Sequence, residues 1–290
     1  MPDVEAVVIT YNALPHLERC LESLARYRTV VVDHGSTDGT LELVGERFPS
    51  VKLVEQENRG VAAGWNRGLR ETSAPFVVVL NSDAWLVHDA AERMVAFARQ
   101  EDRAAFVGPR LLNPDGTLQP SVRAFPTPWR LATEYFFLRK LAPRSRALNA
   151  FYGAGFRHDE PREIDFAKAA GFLLRRAAYD EVGPFDEEFF LFSEETDWCY
   201  RARAVGWRSY FFPGAEVVHV GGASWRRESA TLFREQVRGH LRFLSKHRGR
   251  KVADRARRVL LAGLRLRSVV FRGERGAVYR DTADWLRSTR

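Results

Sequence analysis

The first 108 residues alternate short apolar runs with amphipathic stretches. Val4–Thr10, Thr29–Asp33 and residues 76–80 are rich in valine and have the length of buried strands. Between the first two runs, residues 14–24 repeat leucine at intervals of three and four, which is helical spacing. Strands that alternate with helices in this way usually pair in parallel. The pattern therefore predicts a doubly wound α/β sheet across residues 1–108.

Further elements follow from the same patterns. Up to residue 108 we predict helices at 40–48, Val61–Arg70 and Ala90–Gln100, and strands at 51–55 and 105–107. Residues 111–128 are rich in Pro, Asn, Asp and Gly, which is typical of loops and hairpins. The remaining predictions are a helix at 129–141, irregular chain at 142–162, strands at 164–174, 208–212 and 216–220, a helix at 195–205, and helical chain from 229 onward.

The positive charge is concentrated near the C-terminus. The formal net charge is +8, but residues 246–276 carry eleven Lys and Arg against two Asp and Glu, a balance of +9. The remainder is then 8 − 9 = −1, which argues against a body that binds nucleic acid. Cys20 and Cys199 both lie among apolar residues, so we expect buried free thiols and a reducing, cytoplasmic compartment. We expect neither a signal peptide nor a membrane-spanning run.

Polar residues follow three of the predicted strands where each ends. Tyr11 follows the first, Asp33 ends the second, and Asp83 lies three residues beyond the run 76–80. Ligand sites in open α/β sheets gather at such strand ends. Tyr11 offers an aromatic face to a nucleotide base, Asp33 can accept from a base N–H, and Asp83 can hold Mg²⁺ or Mn²⁺. The alternative for Asp83 is a cap of the helix that starts near His88.

Residues 58–68 join the third strand to a helix. Their small side chains allow close approach of another group, and Arg59 at the helix start can pair with a phosphate. The alternative is a tightly packed helix with solvated arginines. Neither a G-x-G-x-x-G sequence nor a Walker sequence follows the first strand, which argues against a dinucleotide site or a P-loop.

Residues 183–199 combine six carboxylates with many aromatic side chains. A carboxylate among aromatic groups is partly desolvated, which raises its pKa toward that of a useful general base. Glu194 and Glu195 are candidates for this role, with helix capping as the alternative. His219, at the end of a short predicted strand, is either a structural histidine or a ligand.

These features occur in one order along the chain: Tyr11-Asn12, Asp33 with residues 36–40, residues 58–60, residues 80–83, Glu194-Glu195 with Asp197, and His219. In that order they resemble the inverting family 2 glycosyltransferases, in particular the bacterial rhamnosyltransferase-like branch, over roughly residues 4–225. The resemblance implies a GT-A type nucleotide-sugar-binding fold, a mixed and mainly parallel sheet flanked by helices, with a basic helical C-terminal appendage here. We expect a transferase domain at 1–228, divided into a nucleotide-binding half (1–108) and an acceptor and catalytic half (109–228), and the appendage at 229–290.

The resemblance also implies roles for individual residues. Those expected around the nucleotide are Thr10, Tyr11, Asn12, Asp33, Arg59 and Ser82. Asp83 and His219 would bind the metal, Mg²⁺ or Mn²⁺, and Glu195 would be the catalytic base. Three positions depart from the family pattern: Asn81 stands where an acid is common, His34 replaces the usual Asn, and Glu194-Glu195 replaces a Glu-Asp pair. Because of that last change, either glutamate can be the base.

The implied activity is metal-dependent, inverting transfer of a sugar. By the closest resemblance the sugar is rhamnose, moved from a dTDP- or UDP-sugar to a saccharide or lipid-linked saccharide in cell-surface polysaccharide synthesis. One alternative is transfer of GlcNAc, galactose or galactofuranose. A second is a catalytically weakened sugar-nucleotide-binding protein, suggested by Asn81 and Glu195. A third is a nucleotidyltransferase, which would not need the Glu194-Glu195 and His219 arrangement.

The basic C-terminal segment has three interpretations. Apolar residues at helical spacing between the arginines are typical of a helix lying on an anionic membrane, here the inner face of the cell membrane. Such docking would suit a lipid-linked acceptor. The same pattern fits helices packed on the catalytic body or the interface of a homodimer.

Overall fold

The computed structural model describes residues 3–221 and 229–289. The strands are β1 (Val4–Thr10), β2 (Thr29–Asp33), β3 (Lys52–Glu55), β4 (Phe76–Asn81), β5 (Ala84–Leu86), β6 (Ala104–Leu112), β7 (Val122–Arg123), β8 (Arg162–Ile164), β9 (Phe166–Ala167), β10 (Gly171–Arg175) and β11 (Arg208–His219). The α-helices are α1 (Leu14–Ser23), α2 (Thr40–Arg47), α3 (Val61–Arg70), α4 (Ala90–Gln100), α5 (Pro128–Tyr135), α6 (Arg146–Asn149), α7 (Arg176–Val182), α8 (Glu194–Ala204), α9 (Ser229–Arg248), α10 (Arg250–Val270) and α11 (Gly273–Ser288).

A mixed sheet forms the centre of the molecule, with the order β3-β2-β1-β4-β10-β6-β11-β5 and β8 paired to β11. β1 to β4 are parallel, as the valine-rich runs predict, and the ends of β1 and β2 are in register at Thr10 and Asp33. β10 enters between β4 and β6 and runs antiparallel to both. β7 and β9 form a separate two-stranded ladder beside it. The predicted mixed, mainly parallel fold is confirmed.

Several predicted bounds were wrong beyond residue 100. β6 extends to Leu112, well past the predicted 105–107, because it pairs with β11 over that length. The two strands predicted at 208–212 and 216–220 are one strand, since pairing resumes at Glu216 after a register shift that follows Phe212.

Other differences lie between residues 129 and 162. The helix predicted at 129–141 stops at Tyr135 because Phe137 adopts a left-handed conformation, and a 3₁₀ turn, Leu138–Lys140, follows it. Residues 142–162, predicted as irregular, contain α6 and a second 3₁₀ turn, Ala150–Tyr152.

The three C-terminal helices pack on the rest of the molecule. Leu260 and Leu264 of α10 are fully buried in the same apolar core as Val7 and Phe172 of the sheet. A side chain at Gly263 would lie 2.6 Å from Tyr135 Cβ, so the small residue lets α10 approach α5 closely. These contacts support the packed interpretation of most of this segment. The predicted boundary at residue 228 falls outside the described residues.

Charged contacts reinforce this packing. The buried Arg267 guanidinium pairs with Glu134 at 2.9 Å and donates to the Tyr135 carbonyl.

Cys20 and Cys199 are buried free thiols, as predicted.

Candidate active site

Asp33 shapes the loop at the end of β2. It is fully buried, and its Oδ1 accepts from the backbone N–H groups of Gly35 and Ser36. The Ser36 hydroxyl donates to Asp33 Oδ2 at 2.5 Å and accepts from the Asn12 N–H at 2.8 Å. Thr37 N–H in turn donates to Asn12 Oδ1. The Asp33 carboxylate therefore bonds to its own loop, and through Ser36 it holds that loop against the loop after β1.

Thr10 and Tyr11 lie at the mouth of these loops. The Thr10 hydroxyl is buried and has no hydrogen-bond partner within the described chain. The Tyr11 ring is 55% exposed, which leaves its face open to a planar group. An orphaned buried hydroxyl beside an open aromatic face is an arrangement that a bound ligand would complete.

The segment around Arg59 contacts the acid- and aromatic-rich segment at residues 183–199. Gly60 has a φ of +93°, and a side chain there would collide with the Phe190 carbonyl, which also accepts from Val61 N–H at 2.8 Å. Arg59 is 67% exposed and pairs with Glu187 at 2.9 Å. The predicted phosphate-binding arginine is thus held beside the acid- and aromatic-rich segment by an exposed ion pair.

The turn after β4 brings Asp83 to His219. Asp83 Oδ1 lies 3.4 Å from His219 Nε2, and the Asp83 carbonyl accepts from Val220 N–H at 3.0 Å. Burial alone would raise the pKa of Asp83, but the contact with His219 lowers it. Helix α4 begins at Ala90, so the capping alternative for Asp83 was wrong. The two predicted ligands therefore meet. Ser82 precedes Asp83 in the turn, and Asn81 is the last residue of β4.

Gln119 sets the tautomer of His219. The Gln119 side-chain amide donates to Asn113 Oδ1 at 2.9 Å and to the His219 carbonyl at 3.2 Å, which assigns its Oε1 to face His219 Nδ1 at 2.7 Å. Oε1 is an acceptor, so Nδ1 carries the proton. A cation between Nε2 and the Asp83 carboxylate would take the place of a proton on Nε2 and satisfy both groups.

This donor set fits Mg²⁺ or Mn²⁺. Within residues 3–221 and 229–289, no cluster of three or more His, Cys, Asp or Glu side chains could hold a metal. Mg²⁺ is commonly held by one or two carboxylates together with substrate phosphates and water. Asp83 and His219 would supply the protein's share of such a site.

Glu194 and Glu195 begin α8 after a strained turn. Phe192 and Ser193 have φ angles of 69° and 75°. Residues other than glycine rarely adopt this left-handed backbone conformation, and it is frequent at functional sites. The Oε2 atoms of both glutamates are buried and have no hydrogen-bond partner in the described part of the chain. Burial raises the pKa of Glu195 to about 7. Burial and the neighbouring Glu195 charge raise the pKa of Glu194 well above its ordinary value.

Two buried cations escaped the sequence reasoning: Arg123, whose charge acts on Glu195, and Lys168, whose pKa responds to Arg123. Arg123 on β7 donates to the Val122 carbonyl at 2.8 Å and lies over the Tyr152 ring at 4.5 Å, and its charge opposes the rise in the pKa of Glu195. Burial, with the like charge of Arg123, lowers the pKa of Lys168 to about 8. Arg123 lies in β7 and Lys168 follows β9, two strands of only two residues each. Strands this short have no hydrophobic pattern in the sequence, so no motif marks either residue.

Helix α9 holds α8 in place. Asp197 is fully buried and bonds to Arg201, Lys246 and His247 at 2.8, 2.7 and 2.7 Å. A side chain at Gly239 on α9 would lie 2.7 Å from the Phe192 carbonyl, so this helix also supports the strained turn.

The comparison with known families decides the class of protein. The model of the family "Glycosyl transferase family 2" matches residues 5–183, more than half of the chain. The chain belongs to glycosyltransferase family 2. This family 2 chain is therefore a glycosyltransferase, of the hexosyltransferase type, and the nucleotidyltransferase alternative was wrong.

Related proteins agree with this assignment. The transferase is 32% identical over 249 residues, 80% of each chain, to an N-acetylglucosaminyl-diphospho-decaprenol L-rhamnosyltransferase of Mycobacterium tuberculosis. It also matches a hexosyltransferase of low-salt glycan biosynthesis from Haloferax volcanii, with 22% identity over 70% of this chain and 62% of the relative.

Solved structures show the same fold. GalNAc-T7 with UDP, GalNAc and Mn²⁺ superposes with a TM-score of 0.58 at 16% identity, covering 83% of this chain and 47% of that one. Residues 1–349 of S. aureus TarS with UDP give a TM-score of 0.53 at 18% identity, covering 93% and 72%. The transferase thus spans about half the length of GalNAc-T7.

Proposed function

We propose that this enzyme transfers rhamnose, with inversion, from a nucleoside-diphosphate sugar to a lipid-linked GlcNAc diphosphate in cell-surface polysaccharide synthesis. The observation that carries the proposal is the placement of the Asp83–His219 pair and the desolvated Glu195 in a family 2 chain. The sugar and acceptor are taken from the mycobacterial relative, whose likeness covers most of both chains.

The donor would lie across the ends of β1, β2 and β4. Tyr11 would stack on the base, with Thr10 and Asn12 beside it, and Asp33 would act by fixing both loops. Ser82 would approach the diphosphate from the β4 turn, and Arg59 would reach it by exchanging its ion pair with Glu187. The nucleotide would be dTDP or UDP, in keeping with the neighbours that hold UDP.

Asp83 and His219 would hold Mg²⁺ or Mn²⁺ on the donor diphosphate. A divalent cation there neutralises charge on the leaving phosphate. Gln119 would keep the His219 lone pair directed at the metal position. Arg59 would add positive charge as the bond to the phosphate breaks.

Glu195 would take the proton of the acceptor hydroxyl. As that proton moves to the carboxylate, the hydroxyl oxygen forms a bond to the anomeric carbon from the face opposite the phosphate. The bond from this carbon to the diphosphate oxygen breaks, and the nucleoside diphosphate leaves with its electron pair. Glu194, more strongly shifted, would stay protonated beside it. Base catalysis of this kind is worth ~10²–10⁴-fold in rate.

A small apolar tip would dock the enzyme on a membrane. Leu141, Val269 and Val270 are 77%, 80% and 55% exposed, and contact between Phe137 and Phe271 at 5.8 Å joins the two segments that carry them. No helix among the described residues is long and apolar enough to cross a bilayer. The tip, with basic residues on both segments, would rest on the anionic inner leaflet. A homodimer that covers the tip is the competing outcome.

A donor panel tests the proposed activity. The enzyme is incubated with a short-chain GlcNAc-diphospho-polyprenol, Mn²⁺ and, in separate reactions, dTDP-rhamnose or UDP-sugars. We expect dTDP and a rhamnosyl disaccharide on the lipid. Transfer only from a UDP-sugar would reject rhamnose, and donor binding without nucleoside diphosphate release would indicate the binding-protein alternative.

A further inference from the structure

An arginine-lined cavity lies in the acceptor half, apart from the residues discussed so far. It has a volume of about 280 Å³ and is formed by the segment after the apolar tip and by the loop that leads into β8. Its charged lining consists of Arg144, Arg146, Arg157, Arg162, Asp159 and Glu160.

The charges in this cavity are not balanced. Arg157 pairs with Asp159 at 3.0 Å, which leaves three arginines and Glu160. Arg144, Arg146 and Arg162 are exposed and form no ion pair within the described residues, although Arg162 covers the Phe156 ring at 4.8 Å. Three free guanidinium groups on one concave surface are suited to an anion with several oxygens.

The backbone around the cavity is tightly folded. Gly153, Ala154, Gly155 and His158 all have positive φ angles, between 51° and 80°. A side chain at Gly155 would lie 3.1 Å from Arg144 Cγ, so the turn packs directly against this arginine. The arginines are therefore presented by a folded turn.

This turn is attached to β7, the strand that carries Arg123. His158 Nδ1 lies 3.0 Å from the Phe156 carbonyl, and Nε2 accepts from Val122 N–H at 3.4 Å. The next residue of β7 is Arg123, whose charge acts on Glu195. The cavity is thus linked to the acceptor side of the site through one short strand.

The size and position of the cavity indicate which anion it takes. Pockets for small ligands usually measure ~300–1,000 Å³, so this cavity is small for a nucleotide. Arg162 covers one face of its aromatic residue, Phe156, which disfavours stacking of a base there. Leu141 of the apolar tip precedes Arg144 by three residues, so an anion at the membrane surface would meet the cavity.

We propose that Arg144, Arg146 and Arg162 bind the diphosphate of the lipid-linked acceptor. This inference rests on the proposed function, in which the diphosphate and the attacking hydroxyl belong to one GlcNAc unit. The lipid tail would then leave the cavity along the apolar tip. Binding of the diphosphate would position the sugar toward Glu195 before the donor reacts.

The test measures binding of geranyl diphosphate by titration calorimetry, with chelator present so that no metal is available at Asp83. The variant Arg144→Gln/Arg146→Gln/Arg162→Gln should bind it at least ~10-fold more weakly, because it loses the charge-assisted hydrogen bonds of three guanidinium groups. The matched control changes three exposed arginines outside the cavity, Arg70→Gln/Arg255→Gln/Arg280→Gln, and should bind like the parent enzyme. Equal affinity of the two triple variants would overturn the proposal.

Two further experiments distinguish a lipid headgroup from the acceptor diphosphate, and failure of this proposal from failure of the proposed function. Both triple variants should bind vesicles containing phosphatidylglycerol with equally reduced affinity compared with the parent enzyme. If only the cavity variant loses vesicle binding and it still binds geranyl diphosphate, the cavity is a lipid-headgroup site. In transfer assays the cavity variant should raise KM for GlcNAc-diphospho-lipid but not for octyl GlcNAc. If the parent enzyme transfers no sugar yet binds geranyl diphosphate through the arginines, the proposed function fails and the cavity assignment stands.

Discussion

The pH dependence of transfer follows from the environment of Glu195. Because burial raises its pKa to about 7, roughly one tenth of the side chains are ionised at pH 6 and nine tenths at pH 8. If the ionised form is the base, kcat/KM should rise about tenfold between these two pH values. A glutamate with an ordinary pKa, near 4.5, would be ionised throughout, and the rate would be flat.

Substitution of Arg123 should move this profile. Its positive charge favours the ionised form of Glu195, so Arg123→Gln should shift the acid limb to higher pH and lower the rate at pH 7. Arg70→Gln, which removes an exposed arginine of α3, is the matched control and should leave the limb in place. Glu194→Gln should also keep the limb, since Glu194 is already protonated.

The assay is initial-rate release of nucleoside diphosphate at subsaturating acceptor, from pH 5.5 to 9, in buffers of constant ionic strength. Donor affinity is measured at each pH by calorimetry, so that loss of binding is not mistaken for loss of the base. A flat profile in the parent enzyme would refute the assignment. An acid limb that disappears in Glu194→Gln and persists in Glu195→Gln would assign the base to the other glutamate.

Three other predictions test the site, the helical support and the tip. Asp83→Ala should abolish transfer and remove the Mn²⁺-dependent part of donor binding in chelator-treated buffer; wild-type turnover with added Mn²⁺ would rule out the ligand role. Burial would raise the pKa of Asp197, but its bonds to His247, Lys246 and Arg201 lower it to about 2. The contribution of Asp197 to the free energy of unfolding is therefore complete above the unfolded pKa near 3.8 and is lost as pH falls through about 2. At pH 7, Asp197→Asn should lower the free energy of unfolding in urea by about 3–5 kcal/mol, and a change within ~0.5 kcal/mol would contradict this. Leu141→Ser/Val269→Ser should sediment less with anionic vesicles than the parent enzyme at equal salt, while equal partition with a parent that is dimeric in solution would favour the dimer.

Most of the fold of residues 1–108 could be predicted from the sequence. The valine runs of β1, β2 and β4 are buried on both faces, so their pattern reports their position directly. β10 could not be placed, because its antiparallel entry between β4 and β6 depends on pairing with strands that lie far away in the chain. β11 was predicted as two strands because Pro213-Gly214 indicates a break in the sequence, whereas in the sheet the pairing shows only a register shift there.

The site residues likewise fall into those that the sequence identifies and those that only the fold brings together. Strand-end residues such as Asp83 and His219 could be named because the edge of a parallel sheet is a known position for ligands. Gln119 bonds to a histidine 100 residues away, and no local pattern predicts that contact. Arg123 likewise matters only through the fold, which brings β7 near Glu195.

The stereochemistry of the product tests the central claim most directly. The enzyme is incubated with dTDP-rhamnose, Mn²⁺ and a short-chain GlcNAc-diphospho-lipid, and the anomeric configuration of the new linkage is determined by NMR. A single displacement assisted by Glu195 predicts a disaccharide whose configuration is opposite to that of the donor, formed by the parent enzyme and absent with Glu195→Gln although donor binding is intact. A product that keeps the donor configuration, or undiminished transfer by Glu195→Gln, would contradict the account.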